Sequence, residues 1–180
     1  QALVLAPTRE LALQVSEAFG KYAVHMPTIT VLPIYGGQSY GVQLSGLRRG
    51  AQIIVGTPGR VIDHLSKGTL DLSNLEFLVL DEADQMLDLG FIKPLQQIAK
   101  LVSPKRQTLL FSATMPKQMN TLAATYLSDP VRVEVSPPGK PADKVRQSVH
   151  HVAQAGKVAL LSDLLAAEPG SLSLVFARTK

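Results

Sequence analysis

Phe77-Leu78-Val79-Leu80-Asp81-Glu82-Ala83-Asp84 is the stretch whose reading decides the fold. Four apolar residues in a row have the length and composition of a strand buried on both faces. Two adjacent carboxylates then fall at its carboxyl end, where open α/β sheets bind their ligands. Magnesium, a hard cation, takes one or two carboxylates together with substrate phosphates, so the pair points toward nucleotide chemistry. Read alone, it fits a receiver-type phosphotransfer domain or a solvated Asp-Glu at a helix start equally well.

Working outward, further apolar runs at residues 2–6, 29–34, 52–55 and 108–111 read as buried strands. Helical periodicities lie between them. Leu11, Val15, Ala18, Phe19 and Tyr22 share one face, as do Met119, Leu122, Ala123 and Tyr126. Strand-helix alternation predicts an α/β fold, a parallel sheet with helices on both faces. Val131, Val133 and Val135 alternate with Arg132 and Glu134, the pattern of a half-exposed strand. Ser136-Pro137-Pro138-Gly139-Lys140-Pro141 then breaks any regular element. The expected organisation is a first domain over 1–135, a linker over 136–146 and the beginning of a second α/β domain over 147–180. In that last part, residues 148–152 and 172–176 read as strands, and Val158, Leu161 and Leu165 as a helix face.

Composition narrows the function classes. The chain has 180 residues, 46% of them hydrophobic and 18% charged, which is enough to bury a core. It contains no Cys, so disulfides, thiolate metal sites and a cysteine nucleophile are excluded, and a reducing cytoplasm is the expected compartment. No apolar run approaches the ~20 residues of a membrane span. Residues 1–5 lack the charged region of a signal peptide and read as a strand belonging to a longer protein. The net charge of +4 suits a polyanionic partner. Aromatics make up only 5% of residues, too few for a base-stacking platform, so a nucleic acid would be held by its backbone.

Four further motifs flank the acidic pair in a fixed order: Ala6-Pro7-Thr8-Arg9-Glu10-Leu11-Ala12, Gly36-Gly37, Thr57-Pro58-Gly59-Arg60 and, downstream, Ser112-Ala113-Thr114. With Asp81-Glu82-Ala83-Asp84, they resemble the DEAD-box RNA helicases of helicase superfamily 2, and the resemblance runs on to Lys180. Residues 90–94 and 108–116 are most similar to the bacterial RhlE-type branch. The resemblance implies a RecA-like sheet domain plus the start of a second, with ATP and Mg2+ as cofactors and RNA as partner. It also implies an activity, ATP hydrolysis coupled to local RNA strand separation.

By the same resemblance, Asp81 holds the magnesium that bridges the phosphates, usually through water, and Glu82 orients and deprotonates the attacking water. That division suits phosphoryl transfer, which needs positioning and charge neutralisation. Asp84 is implied to pair with Ser112 and Thr114, coupling hydrolysis to domain movement. On its own, Ser-Ala-Thr reads as a helix cap ahead of Met115-Pro116. Pro7, Thr8 and Arg9, Gly36 and Gly37, and Thr57, Pro58, Gly59 and Arg60 are implied to meet the sugar-phosphate backbone of RNA. Each has a plainer structural reading: Thr8 as a helix cap, the glycines as a tight turn, and Pro58 at a helix start. Phe176, Arg178 and Thr179 match the opening of an RNA-contacting motif of the second domain. His25, His64, His150 and His151 have no metal-ligand spacing and read as solvated or capping residues.

No Gly-x-x-x-x-Gly-Lys-Ser/Thr loop occurs in the chain. The glutamine motif that reads adenine and the motifs that supply an arginine finger are absent as well. Truncation accounts for these gaps better than loss, and the chain by itself is expected to be inactive. A nucleotide-independent RNA-binding or scaffold module with a helicase-like fold is the alternative reading.

Overall fold

The computed structural model describes residues 1–135 and 145–177. The chain divides into two compact units, Gln1–Gly139 and Lys140–Lys180. The first unit is built on five strands, β1 (Ala2–Leu5), β2 (Val31–Ile34), β3 (Ile53–Gly56), β4 (Phe77–Leu80) and β5 (Gln107–Leu110). All pair in parallel, in the order β2-β3-β1-β4-β5. The five apolar runs expected as buried strands over residues 2–111 are strands, with ends displaced by at most two residues.

The central strand shows why the runs are continuous rather than alternating. Leu3 and Leu5 face one side of β1 and Val4 the other, and all three are buried. The larger core gathers Leu3, Leu5, Ile34, Ile54, Leu78 and Leu80 beneath the helices that follow β2, β3, β4 and β5. These are α2 (Tyr40–Arg48), α3 (Pro58–Ser66), α4 (Ala83–Asp88), α5 (Ile92–Ala99) and α6 (Lys117–Tyr126). Opposite, α1 (Arg9–Tyr22) covers Val4, Ala6 and Val55 with Leu11, Ala12, Val15 and Phe19. Helices therefore lie on both faces, unequally. Toward β4 and β5 on the α1 side, Phe77 and Phe111 keep 46% and 54% of their surface exposed.

Met119, Leu122, Ala123 and Tyr126 are buried, as the α6 stripe predicts. On α1 the stripe is narrower than expected. Tyr22 stands in solvent at the last turn, while Ser16 is buried and donates from Oγ to the Ala12 carbonyl at 2.7 Å. Gly56 ends β3 because a Cβ there would lie 2.7 Å from both the Ile34 carbonyl oxygen and Val61. Only a bare α-carbon lets α3 turn back so closely.

Residues 131–135 are not a strand, contrary to the alternation of their valines. Val131, Val133 and Val135 are 90%, 83% and 95% exposed. Period-two patterning forms a strand only where a neighbour accepts its hydrogen bonds, and none of the described strands does so here.

The second unit holds a 3-10 turn, Gln154–Gly156, running into helix α7 (Lys157–Ala167), which is the helix expected there. Residues 148–152 and 172–176, expected as strands, are extended and exposed, with no pairing among the described residues. Most of the expected linker, 136–144, and also Arg178 and Thr179 lie outside the described residues.

Candidate functional site

Because all five strands run parallel, their carboxyl ends share one edge of the sheet. Each candidate motif leaves one of those ends, and the strand order sorts them. Gly36-Gly37 follows β2, Thr57–Arg60 follows β3 and Pro7–Arg9 follows β1. Asp81-Glu82 follows β4, and Ser112–Thr114 comes just after β5. Three turns on adjacent strands thus occupy one half of the edge, and the acids and hydroxyls occupy the other.

The acidic half is an open groove of about 560 Å³ lined by Asp81, Glu82, Asp84, Gln85, Asp88 and Ser112, among others. The Asp81 amide donates to the Leu5 carbonyl at 2.9 Å, which extends the β1–β4 ladder to the first carboxylate. Asp81 Oδ1 accepts the Glu82 N–H at 3.0 Å. Glu82 sits in the left-handed region at φ 46°, ψ 53° and starts α4, with its side chain exposed. Ala83 N–H donates to the Phe111 carbonyl at 3.0 Å, tying the turn to the end of β5.

Asp84 reaches across thirty residues. Its Oδ2 accepts from the Thr114 amide at 2.9 Å and from the Thr114 hydroxyl at 2.8 Å. Ser112 Oγ donates to the Thr114 carbonyl at 2.7 Å, so it shapes the loop that presents Thr114. Burial pushes the Asp84 carboxyl upward. The Thr114 hydroxyl and amide, with help from Ser112 and the Gln85 amide, outweigh it and hold the group below the usual range. The three residues expected to act together are brought together, and Thr114 makes the direct contact with Asp84.

In the other half, Thr8 caps α1, its Oγ1 accepting the Leu11 N–H at 3.2 Å. Arg9 is exposed and pairs with its neighbour Glu10 at 2.5 Å. Gly37 takes φ 89°, a conformation L side chains rarely adopt, and the space where a Cβ would stand is open at both Gly36 and Gly37. Pro58 is buried at the first turn of α3, and the Thr57 side chain makes no cap bond there.

Beneath these turns lies a polar cluster that the sequence does not announce. Gln43 and His64 are both fully buried. Gln43 Nε2 donates to the Tyr35 carbonyl at 2.9 Å and to Gln38 Oε1 at 2.8 Å. Gln43 Oε1 accepts from Arg60 Nη1 at 3.0 Å and lies 2.8 Å from His64 Nε2. His64 Nδ1 meets Thr69 Oγ1 at 2.8 Å, and the ring stacks on Tyr40 with centroids 4.4 Å apart. Burial pulls the His64 pKa down, reinforced by the charges of Arg60 and Lys67 and opposed by Asp63. His64 is therefore a neutral interior residue, neither solvated nor a cap. His25, His150 and His151 are exposed.

A family model described as DEAD/DEAH box helicase matches residues 1–122. Over all 180 residues the chain is 53% identical to the ATP-dependent RNA helicase DeaD of Mycobacterium tuberculosis and 46% identical to that of Escherichia coli K12. It spans 32% and 29% of those proteins' lengths. Among solved structures, a DEAD box protein from Methanococcus jannaschii superposes with a TM-score of 0.70 at 38% identity, covering 92% of this chain and 44% of that one. A hypothetical ATP-dependent RNA helicase from Sulfolobus tokodaii gives 0.67 at 38% identity, covering 71% of this chain and 38% of that one. These relatives lend no support to an RhlE-type branch in particular. With the five-stranded parallel sheet and the ordered edge of motifs, the matches establish that the chain belongs to the DEAD/DEAH box helicase family.

Proposed function

We propose that this chain is the segment of an ATP-dependent RNA helicase that orients the attacking water and grips the RNA backbone. The observation that carries this reading is the sorting of one sheet edge, with Asp81, Glu82, Asp84 and Thr114 in one half and the three strand-to-helix turns of Pro7–Arg9, Gly36-Gly37 and Thr57–Arg60 in the other. ATP is the nucleotide, and Glu82 positions the water and takes its proton. Exposed at the head of an open acidic groove, Glu82 meets solvent directly.

Magnesium fits the donor set. Carboxylate oxygens are the ligands it takes, and Asp81 presents its carboxylate at the open groove beside Glu82. An ion shared between Asp81 and nucleotide phosphates is the arrangement magnesium commonly takes, with one or two carboxylates and the substrate's own oxygens. Bound there, it would supply charge neutralisation. Asp84, Thr114 and Ser112 form the tie through which the groove acts on the neighbouring loop.

Single-stranded RNA is the partner of the other half, met by Pro7, Thr8, Arg9, Gly36, Gly37, Thr57, Pro58, Gly59 and Arg60, with Arg178 and Thr179 adding contacts from the second unit. Free backbone N–H groups at strand-to-helix turns position phosphates without reading bases. The same reading places the end of the first domain near Val135, a linker over 136–146 and the whole protein in the cytoplasm.

Glu82→Gln in a full-length protein carrying this segment tests the assignment. ATP and RNA binding stay near normal while turnover falls ~10²–10⁴-fold, the worth of a positioned base. Turnover above about a tenth of the wild-type rate removes Glu82 from the role.

A further inference from the structure

Arg60 and Arg9 stand in comparable turns but in different surroundings. Arg9 is exposed, and among the described residues its guanidinium hydrogen-bonds only the exposed carboxylate of Glu10. Arg60 is half-buried, donates from Nη1 to Gln43 Oε1 at 3.0 Å and to the Gln38 carbonyl at 3.4 Å, and lies 5.4 Å from the Tyr40 ring centroid. A guanidinium held by an amide, a carbonyl and a ring face is engaged inside the protein.

Gln43 explains what it is engaged in. A primary amide has two N–H donors and two acceptor positions, and all four are used. Its donors go to Tyr35 and Gln38, the residues on either side of Gly36-Gly37. Its oxygen takes Arg60 from the turn after β3 and the His64 Nε2–H from α3. The bonding fixes which way round the amide sits, and with it the His64 tautomer, Nε2 protonated toward Gln43. Gln43 and His64 have a partner at every side-chain polar atom, though among the described residues the hydroxyl of the neighbouring Tyr40 is buried without one. Satisfied buried groups of this kind favour one arrangement. The network joins two neighbouring turns and does so from beneath, leaving the outer surface of both glycines open.

We propose that Gln43 pins the Gly36-Gly37 loop to the Thr57–Arg60 turn, and that Arg60 serves RNA as a positioning residue within that pin rather than as a phosphate partner. His64, braced by Thr69 and stacked on Tyr40, holds the far side of Gln43. The proposal rests on the RNA-backbone reading above and departs from it at one residue, Arg60, which supports the RNA-facing turns from beneath instead of meeting the phosphate itself. It gives the two arginines different roles. Arg9 meets phosphate, and Arg60 sets the spacing of the surface that phosphates meet.

Two measurements test it on four variants, Arg60→Lys, Arg60→Gln, Gln43→Glu and Arg9→Gln. Lysine keeps the charge of Arg60 but loses its planar fork, and glutamate keeps the acceptors of Gln43 but loses its donors. The first measurement titrates a labelled single-stranded RNA of mixed sequence at several salt concentrations. Arg9→Gln lowers the slope of log affinity against log salt by about 0.7, the loss of one phosphate contact. Arg60→Lys and Gln43→Glu lower affinity about tenfold and leave the slope unchanged. Wild-type affinity in Arg60→Lys, or a slope reduced by about 0.7 in Arg60→Gln, makes Arg60 a phosphate partner and overturns the proposal. The second measurement needs no RNA. Backbone order parameters at residues 36–38 stand near ~0.85 in the wild type and fall below about 0.6 in Arg60→Lys and Gln43→Glu, while those of β1 and β4 hold. Unchanged values at 36–38 overturn the pin. Should Gln43→Glu fail to fold, Arg60→Lys alters only a half-buried side chain and decides both readouts. A wild-type chain that binds no RNA sinks the RNA reading itself, whereas RNA binding with an unmoved loop sinks only this proposal.

Discussion

Glu82 is one of two non-glycine residues at positive φ among the described residues, and it is the residue assigned the chemistry. A left-handed conformation costs an ordinary L residue about 1–2 kcal/mol. The surrounding bonds enforce it: Asp81 Oδ1 holds the Glu82 amide, the Phe111 carbonyl holds the next amide, and the Glu82 carbonyl accepts the first α4 bond, from Met86. Strain of this kind persists where the environment over-determines a functional residue. Asparagine tolerates the left-handed region and caps helices well. Glu82→Asn is therefore expected to raise stability by about 0.5–1 kcal/mol, less any lost attraction to the helix start. A denaturant titration with an unchanged slope checks it, and a lower midpoint would mean that the carboxylate stabilises the turn. Asp81 and Glu82 were legible because two acids after an apolar run advertise themselves. Gln43 and His64 were not. A glutamine and a histidine look like surface residues until each meets a partner twenty-one positions away, which no local pattern records.

Among elements, the five strands were readable because continuous apolar runs suit a sheet buried on both faces, whereas the alternating valines at 131–135 needed a neighbour that the sequence cannot name. Thr8 is both a verified cap and part of the proposed RNA face, so the structural and functional readings of that turn coexist. The tie between α4 and the loop after β5 rests on Asp84 and Thr114. Asp84 has its carboxyl held below the usual value in the folded chain. Below the folded pKa the carboxyl is protonated in folded and unfolded chains alike. Its contribution is thus present above the unfolded pKa of ~3.9 and lost as pH falls through the lower folded value. Thr114→Ala removes the hydroxyl bond and keeps the amide bond. It is expected to cost about 1 kcal/mol near neutral pH, moderated by solvent on one side, with the difference from wild type shrinking under acid. Unfolding curves across that range check it, and a difference independent of pH would mean that the threonine contributes through packing alone. In a full-length protein, Ser112→Ala with Thr114→Ala should reduce strand separation more than ATP hydrolysis. Equal losses would make the pair simple supports of the groove.

At the scale of the whole molecule, one parallel sheet sorts the acidic groups and the strand-to-helix turns to opposite halves of a single edge, with β1 at its centre. The acidic half can orient a water, but the 180 residues contain no glycine-rich phosphate loop with its Lys and Ser/Thr. Positioning is most of what phosphoryl transfer requires, and a triphosphate that is not held cannot be positioned. Carboxylates also repel an unaccompanied polyanion, so the groove of Asp81, Glu82, Asp84 and Asp88 would admit phosphates only with their metal and a cationic cradle. Purified as these 180 residues, the chain is therefore expected to release no phosphate from ATP beyond a Glu82→Gln control, with or without RNA. It should still bind RNA weakly through the other half of the edge. Two or three phosphate contacts predict a log–log salt slope of roughly −1.4 to −2 and no preference among sequences. Saturable hydrolysis above the control would show that the groove holds a triphosphate by groups other than such a loop. The two halves of the edge would then be less independent than their places in the sheet imply.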